Sequence, residues 1–224
     1  DHPHQRLGQP DLVALGGLAL YVSVFFSVWA GVLGVLGGLR RSPALVASAE
    51  RGVVAVFALL SLAMIGLEAA LLGDRFDLAF VASISTREQP WLFKVALWGG
   101  QAGSLLLWTW MLGLMGFLAV AQNRRRNRTL MPWVIAVMML NVVFFAALCS
   151  FVSNPFEALP PGSAWSSGQG MNPLLQHPAM MIHPPVLYVG FIGFSVPFAF
   201  ACAALITGEL GTAWFETTRR WSLT

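Results

Sequence analysis

The chain has 224 residues, 57% of them apolar and only 10% charged, with a formal net charge of +3. Four histidines and two cysteines make up its whole imidazole and thiol inventory. This balance excludes a disulfide-stapled secreted domain and gives no sign of a nucleic-acid partner; it describes an integral membrane protein whose main neighbour is a lipid bilayer.

Several apolar runs exceed the ~20 residues that cross a hydrocarbon core of about 30 Å. They predict an all-α, polytopic transmembrane helix bundle, a single membrane domain over 1–224 with spans near 11–38, 52–73, 91–121, 131–152 and 184–206. The first span is rich in glycine, and Gly34 with Gly38 forms a small-xxx-small face for close helix approach. The segment 39–51 then reads as a short connection broken at Pro43. Glu68 and Lys94 each lie about a turn from the end of a span, where snorkelling or an ion pair between antiparallel helices satisfies both. The connection 74–90 is expected to lie on the membrane as an amphipathic or extended segment, and its periodicity does not choose between them.

The third span contains WGGQAGSLLLWTW. Gly99 with Gly103, and Gly100 with Ser104, leave room for a second helix or a flat ligand, and Trp98 lies deeper than an interfacial belt explains. Gln101 is expected near mid-membrane, hydrogen-bonded to Asn141 of the following span for about 1 kcal/mol. The loop 153–182 is rich in Pro, Gly, Ser and Asn and carries no Lys or Arg; loops of that length are usually functional. The tail 207–224 reads as an interfacial segment leading towards a further helix.

Arg40, Arg41, Arg51, Arg124, Arg125, Arg126, Arg128, Arg219 and Arg220 fall on one side of this topology. Arg6, Arg75, Arg87 and Lys94 fall on the other. The positive-inside rule puts the N-terminus outside, the C-terminus inside, and loops 74–90 and 153–182 outside. Cys149 and Cys202 lie within spans, and no CxxC or CxxCH occurs, so both read as buried small apolar residues. A chain running from Asp1 to WSLT reads as a processed, split or truncated polypeptide.

The densest chemistry is in MNPLLQHPAMMIHPPVLYVGFIGFSVPFAF, residues 171–200. His183 precedes Pro184 and Pro185 and is expected at or just before the N-cap of the last span, where the helix dipole favours the neutral, metal-ligating imidazole. The residues alone leave a ligand and an ordinary interfacial histidine both open. His177 reads as a solvated loop residue, and His2 and His4 as part of a terminal tail. Tyr188 and Phe191 follow His183 by one and two turns.

WGGQAGSLLLW, NPFE, NPLLQHP and IHPPVLYVGFIGFSVPFAF resemble, in order and spacing, the CcmF-type heme lyases of System I cytochrome c maturation. NrfE-type proteins are the near alternative. The resemblance covers the N-terminal third of that family and implies a site on the outer face of a bacterial inner membrane, or a mitochondrial inner membrane in a plant. It implies heme received from a CcmE-type heme chaperone and its vinyl groups joined to CXXCH thiols of apocytochrome c. A CcmH-type apocytochrome-handling protein and a companion polypeptide or further C-terminal portion are implied as partners. Carried over, His183 becomes the first external heme ligand and nothing else of that ligand set is present; Trp98, Gln101 and Tyr188 stand beside it as candidate cofactor-binding residues on the residue reading. The tryptophan-rich "WWD" segment, the second external histidine and histidines within spans are absent from this sequence, so the family's heme b is not expected on this portion alone. Where many members carry a His-Glu pair before GSLLLW, this chain has Gln101 and Ala102. A non-catalytic scaffold docking heme-handling partners through the two external loops is the alternative; a transporter is weaker, since no inverted repeat is visible.

Overall fold

The computed structural model describes residues 11–222 apart from 124, 161, 163, 164, 210 and 212, so His2, His4, Arg6 and Arg124 lie outside it. Helices α1 (Leu12–Leu39), α2 (Pro43–Leu72), α3 (Ala79–Ile84), α4 (Trp91–Lys94), α5 (Gln101–Asn123), α6 (Met131–Ala147), α7 (Pro178–Gly193), α8 (Ser195–Thr207) and α9 (Ala213–Ser222) follow in order. Five stretches are long and apolar enough to cross a membrane: α1, α2, α5, α6 with the π-helical turn Leu148–Val152, and α7 with α8. The protein is a multi-pass membrane protein, and no strand occurs among the described residues.

The first two spans form one hairpin. Arg41 at φ 50° turns the chain, Ser42 precedes the helix, and Pro43 takes its first turn, where a missing amide costs nothing. The helix therefore starts at Pro43 and not near 52, and the expected connection over 39–51 shrinks to a tight turn. Near the other end α1 and α2 touch backbone to backbone, since a Cβ on Gly66 would come within 2.9 Å of the Gly16 Cα. Helix α6 is central and packs on α1, α5 and α8, while α5 also packs on α2.

The third span departs most from the sequence reading. After α4 the chain bends at Ala96, passes through a 3-10 turn at Leu97–Gly99 and an extended Gly100, and starts α5 at Gln101. Gly103 permits the corner, because a Cβ there would collide with the Leu97 carbonyl and the Phe80 ring. Gln101 is consequently an exposed helix-start residue, not a mid-membrane one. Asn141 donates instead to the Val137 carbonyl of its own helix, at 2.9 Å.

Lys94 pairs with Asp74 at 2.6 Å and not with Glu68, whose buried Oε2 has no partner among the described residues. The two long connections are tied to each other by backbone hydrogen bonds. Ala79 N–H donates to Glu157 O, Leu159 N–H to Asp77 O and Gln169 N–H to Ala82 O, which joins 74–90 and 153–172 into one cap. Phe80, Val81, Ala82 and Ile84 of α3 form its buried side. At the opposite end, Asn127 Nδ2 donates to Thr217 Oγ1 and ties α9 to the connection before α6.

Candidate functional site

His183 does not begin its helix. Two His-Pro steps compete for the helix start, and the earlier one wins: His177 is the N-cap at φ −130°, its Nδ1 accepts from Ala179 N–H at 3.1 Å, and Pro178 opens α7. His177 is thus a capping residue, and His183 sits well inside α7, away from the positive helix end expected beside it. Pro184 and Pro185 are carried within the helix.

An internal proline removes the amide that would bond the carbonyl four residues back. For Pro184 that carbonyl is Met180, and the Trp98 indole N–H donates to it at 3.1 Å. Further along the helix, Tyr188 meets Trp108 of α5 edge to face at 5.2 Å, and Trp108 meets Phe145 of α6 at 5.4 Å. Trp98 and Tyr188 therefore fasten α7 to the bundle. The sequence signal for Trp98's bond was the proline four residues beyond Met180.

His183 and Tyr188 are five residues apart, roughly 140° around a helix of 3.6 residues per turn, so they point to different sides of α7. Tyr188 is half-buried against α5; His183 is exposed. By the same spacing Val186, Leu187 and Gly190 share the His183 side, and all are exposed. Nothing lies within 4 Å of where a Gly190 Cβ would be, which leaves a flat apolar strip beneath the imidazole. Gln101 carries no hydrogen bond that joins it to His183, Trp98 or Tyr188. Among the described residues no three His, Cys, Asp or Glu side chains converge to hold a bare metal ion. A single imidazole over an apolar strip instead suits an iron whose equatorial ligands come from a porphyrin.

The family model described as cytochrome C assembly protein matches residues 98–222, from Trp98 through α9. The chain belongs to the cytochrome c assembly protein family. Within that family its likeness is to a portion of the CcmF type. It is 38% identical over 210 residues to the cytochrome c-type biogenesis protein CcmF of Pseudomonas aeruginosa, covering 93% of this chain and 32% of that protein. For CcmF of Escherichia coli the identity is 35% over 219 residues, 97% of this chain and 32% of that one. NrfE of Haemophilus influenzae is 33% identical over 214 residues, 95% of this chain and 33% of that protein. A solved structure of the cytochrome c heme lyase CcmF matches with a TM-score of 0.79 at 29% identity, covering 98% of this chain and 34% of that one. This cytochrome c assembly chain thus spans about a third of the length of the relatives it matches.

Proposed function

We propose that this chain is the part of a cytochrome c-type biogenesis heme lyase that presents substrate heme on the outer face of a bacterial inner membrane. The observation that carries the reading is an exposed imidazole, His183, on an apolar helix side whose opposite side is fixed by Trp98 and Tyr188. His183 would hold the iron, and Val186, Leu187 and Gly190 would support the ring. Trp98 and Tyr188 act through α7 as positioning residues. Gln101, exposed at the α5 start, is kept as a candidate at the edge of the same end of the bundle.

The reaction adds a cysteine S–H across a vinyl group: a C–S bond forms, the thiol proton moves to the neighbouring carbon, and no net oxidation occurs. What this chain contributes is a fixed position for one partner, which turns a chance encounter into an oriented one. In this reading a CcmE-type chaperone delivers the heme. A CcmH-type protein offers the apocytochrome c thiols, and the remaining two-thirds of a CcmF-type protein supplies the other wall and any heme b. In the same reading the N-terminus lies outside and the C-terminus inside.

A scaffold reading has its own support in exposed Trp165 and Leu174 on the cap, which offer apolar anchors to a partner. Absorption spectra of the chain purified with its accompanying polypeptides separate the two. Added heme should give a Soret band that His183→Ala weakens at least severalfold while His177→Ala leaves it intact. Identical heme titrations for wild type and His183→Ala would leave the scaffold as the better account.

A further inference from the structure

At the arginine-rich end of the bundle lies a cavity of ≈ 920 Å³. Four helix ends build it: the last turn of α1, the first turn of α2, the first turn of α6 and the last turn of α8. The lining gathers the ends of four apolar helices beside arginine-bearing turns, a setting that suits headgroup depth. Arg41 comes from the turn before α2, and Arg128 from the turn before α6. Both are exposed, and neither side chain has a hydrogen bond or ion pair with the described residues.

The remaining lining fits a ligand that is charged at one end and apolar behind it. Trp133, one turn into α6, lies in the wall against α1, since a Cβ on Gly38 would sit 2.8 Å from its Cε2. The Ser42 hydroxyl makes no capping bond and is available as a donor. Exposed Leu39 and Ile206 continue the lining towards the bilayer side.

We propose that this cavity binds the phosphodiester headgroup of an anionic phospholipid, clamped between Arg41 and Arg128 with its acyl chains over Leu39 and Ile206. Guanidinium forks match phosphate oxygens bidentately, and a basic recess between spans concentrates anionic lipid beyond what a flat basic surface does. The bound lipid would pin the α1–α2 turn to the start of α6. Free inorganic phosphate offers the same oxygens without the chains, and the apolar wall argues against it.

The test is native mass spectrometry of the chain with its accompanying polypeptides in neutral detergent. Phosphatidylglycerol, phosphatidylcholine and inorganic phosphate are each titrated against wild type, Arg41→Gln/Arg128→Gln and the outlying Arg125→Gln. Phosphatidylglycerol should saturate at one tightly held copy per chain, with affinity falling at least ~10-fold in the double variant, about three- to fivefold per guanidinium. Arg125→Gln should change it less than twofold, and Arg41→Lys/Arg128→Lys should recover part of the loss, which shows that the glutamine variant fails by charge and not by misfolding. Equal affinities in the double and Arg125→Gln variants would overturn the site. So would phosphatidylcholine binding as tightly as phosphatidylglycerol, or inorganic phosphate displacing the lipid at equimolar concentration.

Discussion

Pro184 leaves the Met180 carbonyl without its helical donor, and the Trp98 indole fills the vacancy from another element. Each residue makes sense only through the other, which gives a clean double-mutant test. Trp98→Phe keeps the ring and removes the N–H, so the freed carbonyl loses its partner, at a cost of about 1 kcal/mol. Pro184→Ala returns an amide to the same carbonyl. In that background Trp98→Phe should cost markedly less, and unfolding in detergent should report a coupling of roughly 0.5–1.5 kcal/mol. Additive effects would mean that the indole contributes packing alone. A crowd of tryptophans on one span is legible from the residues alone, but their separate duties are not. Trp98 bonds a backbone carbonyl, Trp108 packs on Tyr188, and Trp110 donates to Ser61 Oγ at 3.0 Å. Nothing in the sequence around the tryptophans encodes those partners, which lie 49 to 82 residues away; the one distant sign is Pro184, which frees the Met180 carbonyl. The helix start was ambiguous for a related reason. His177-Pro178 and His183-Pro184 satisfy the same backbone rule, and only the Nδ1 bond to Ala179 decides between them.

Arg75 joins elements that the sequence shows only as separate pieces. Its Nε and Nη2 each donate to the Asp77 carboxylate at 2.8 Å, and its Nη1 reaches Asp11, the N-cap of α1, at 2.6 Å. The clamp ties the start of the first span to the connection after the second. The Arg75 hydrogen bonds hold both carboxyls below the usual range for aspartate, and the two carboxylates push the guanidinium up. A depressed carboxyl contributes stability that is complete above its unfolded value, near ~3.9, and is lost as pH falls through the lower folded value. The melting temperature of the wild type should therefore drop more steeply between about pH 5 and 2 than that of Arg75→Gln. These side chains are 37% and 46% exposed, so screening limits the clamp to about 1 kcal/mol, and high salt should blunt the difference. Parallel pH curves would show that Arg75 does not couple the two carboxyls. At this scale all five long helices were legible as apolar runs, and their ends were less so. Hydropathy runs on without interruption across residues 91–121, but Gly99, Gly100 and Gly103 let the backbone fold back at the Trp98 corner. The cap is likewise built from long-range backbone bonds that leave no periodic trace in either loop.

Across the whole molecule the described cations separate by helix end. Arg40, Arg41, Arg125, Arg126 and Arg128 flank the ends of α1, α2, α5 and α6 that gather around the lipid-sized cavity. Arg75, Arg87 and Lys94 lie at the other end, with the cap and the His183 helix start. Charge of this distribution orients a bundle during insertion, because arginine-rich short connections stay on the cytoplasmic side. The outer location of the proposed His183 heme face rests on that asymmetry. Cys149 is buried and Cys202 half-buried within spans, so the native thiols offer little background to a membrane-impermeant maleimide. Ser166→Cys puts a thiol on the exposed cap, and Ala44→Cys puts one in the exposed first turn of α2. In spheroplasts of cells making the chain with its partner polypeptides, Ser166→Cys should label at once. Ala44→Cys should label only after the membrane is permeabilised. The reverse pattern would invert the bundle and move His183 to the cytoplasmic side, away from any periplasmic heme chaperone. The same inversion would leave the Arg41–Arg128 cavity facing the outer leaflet, so one labelling experiment fixes the side on which both the heme face and the lipid cavity must be sought.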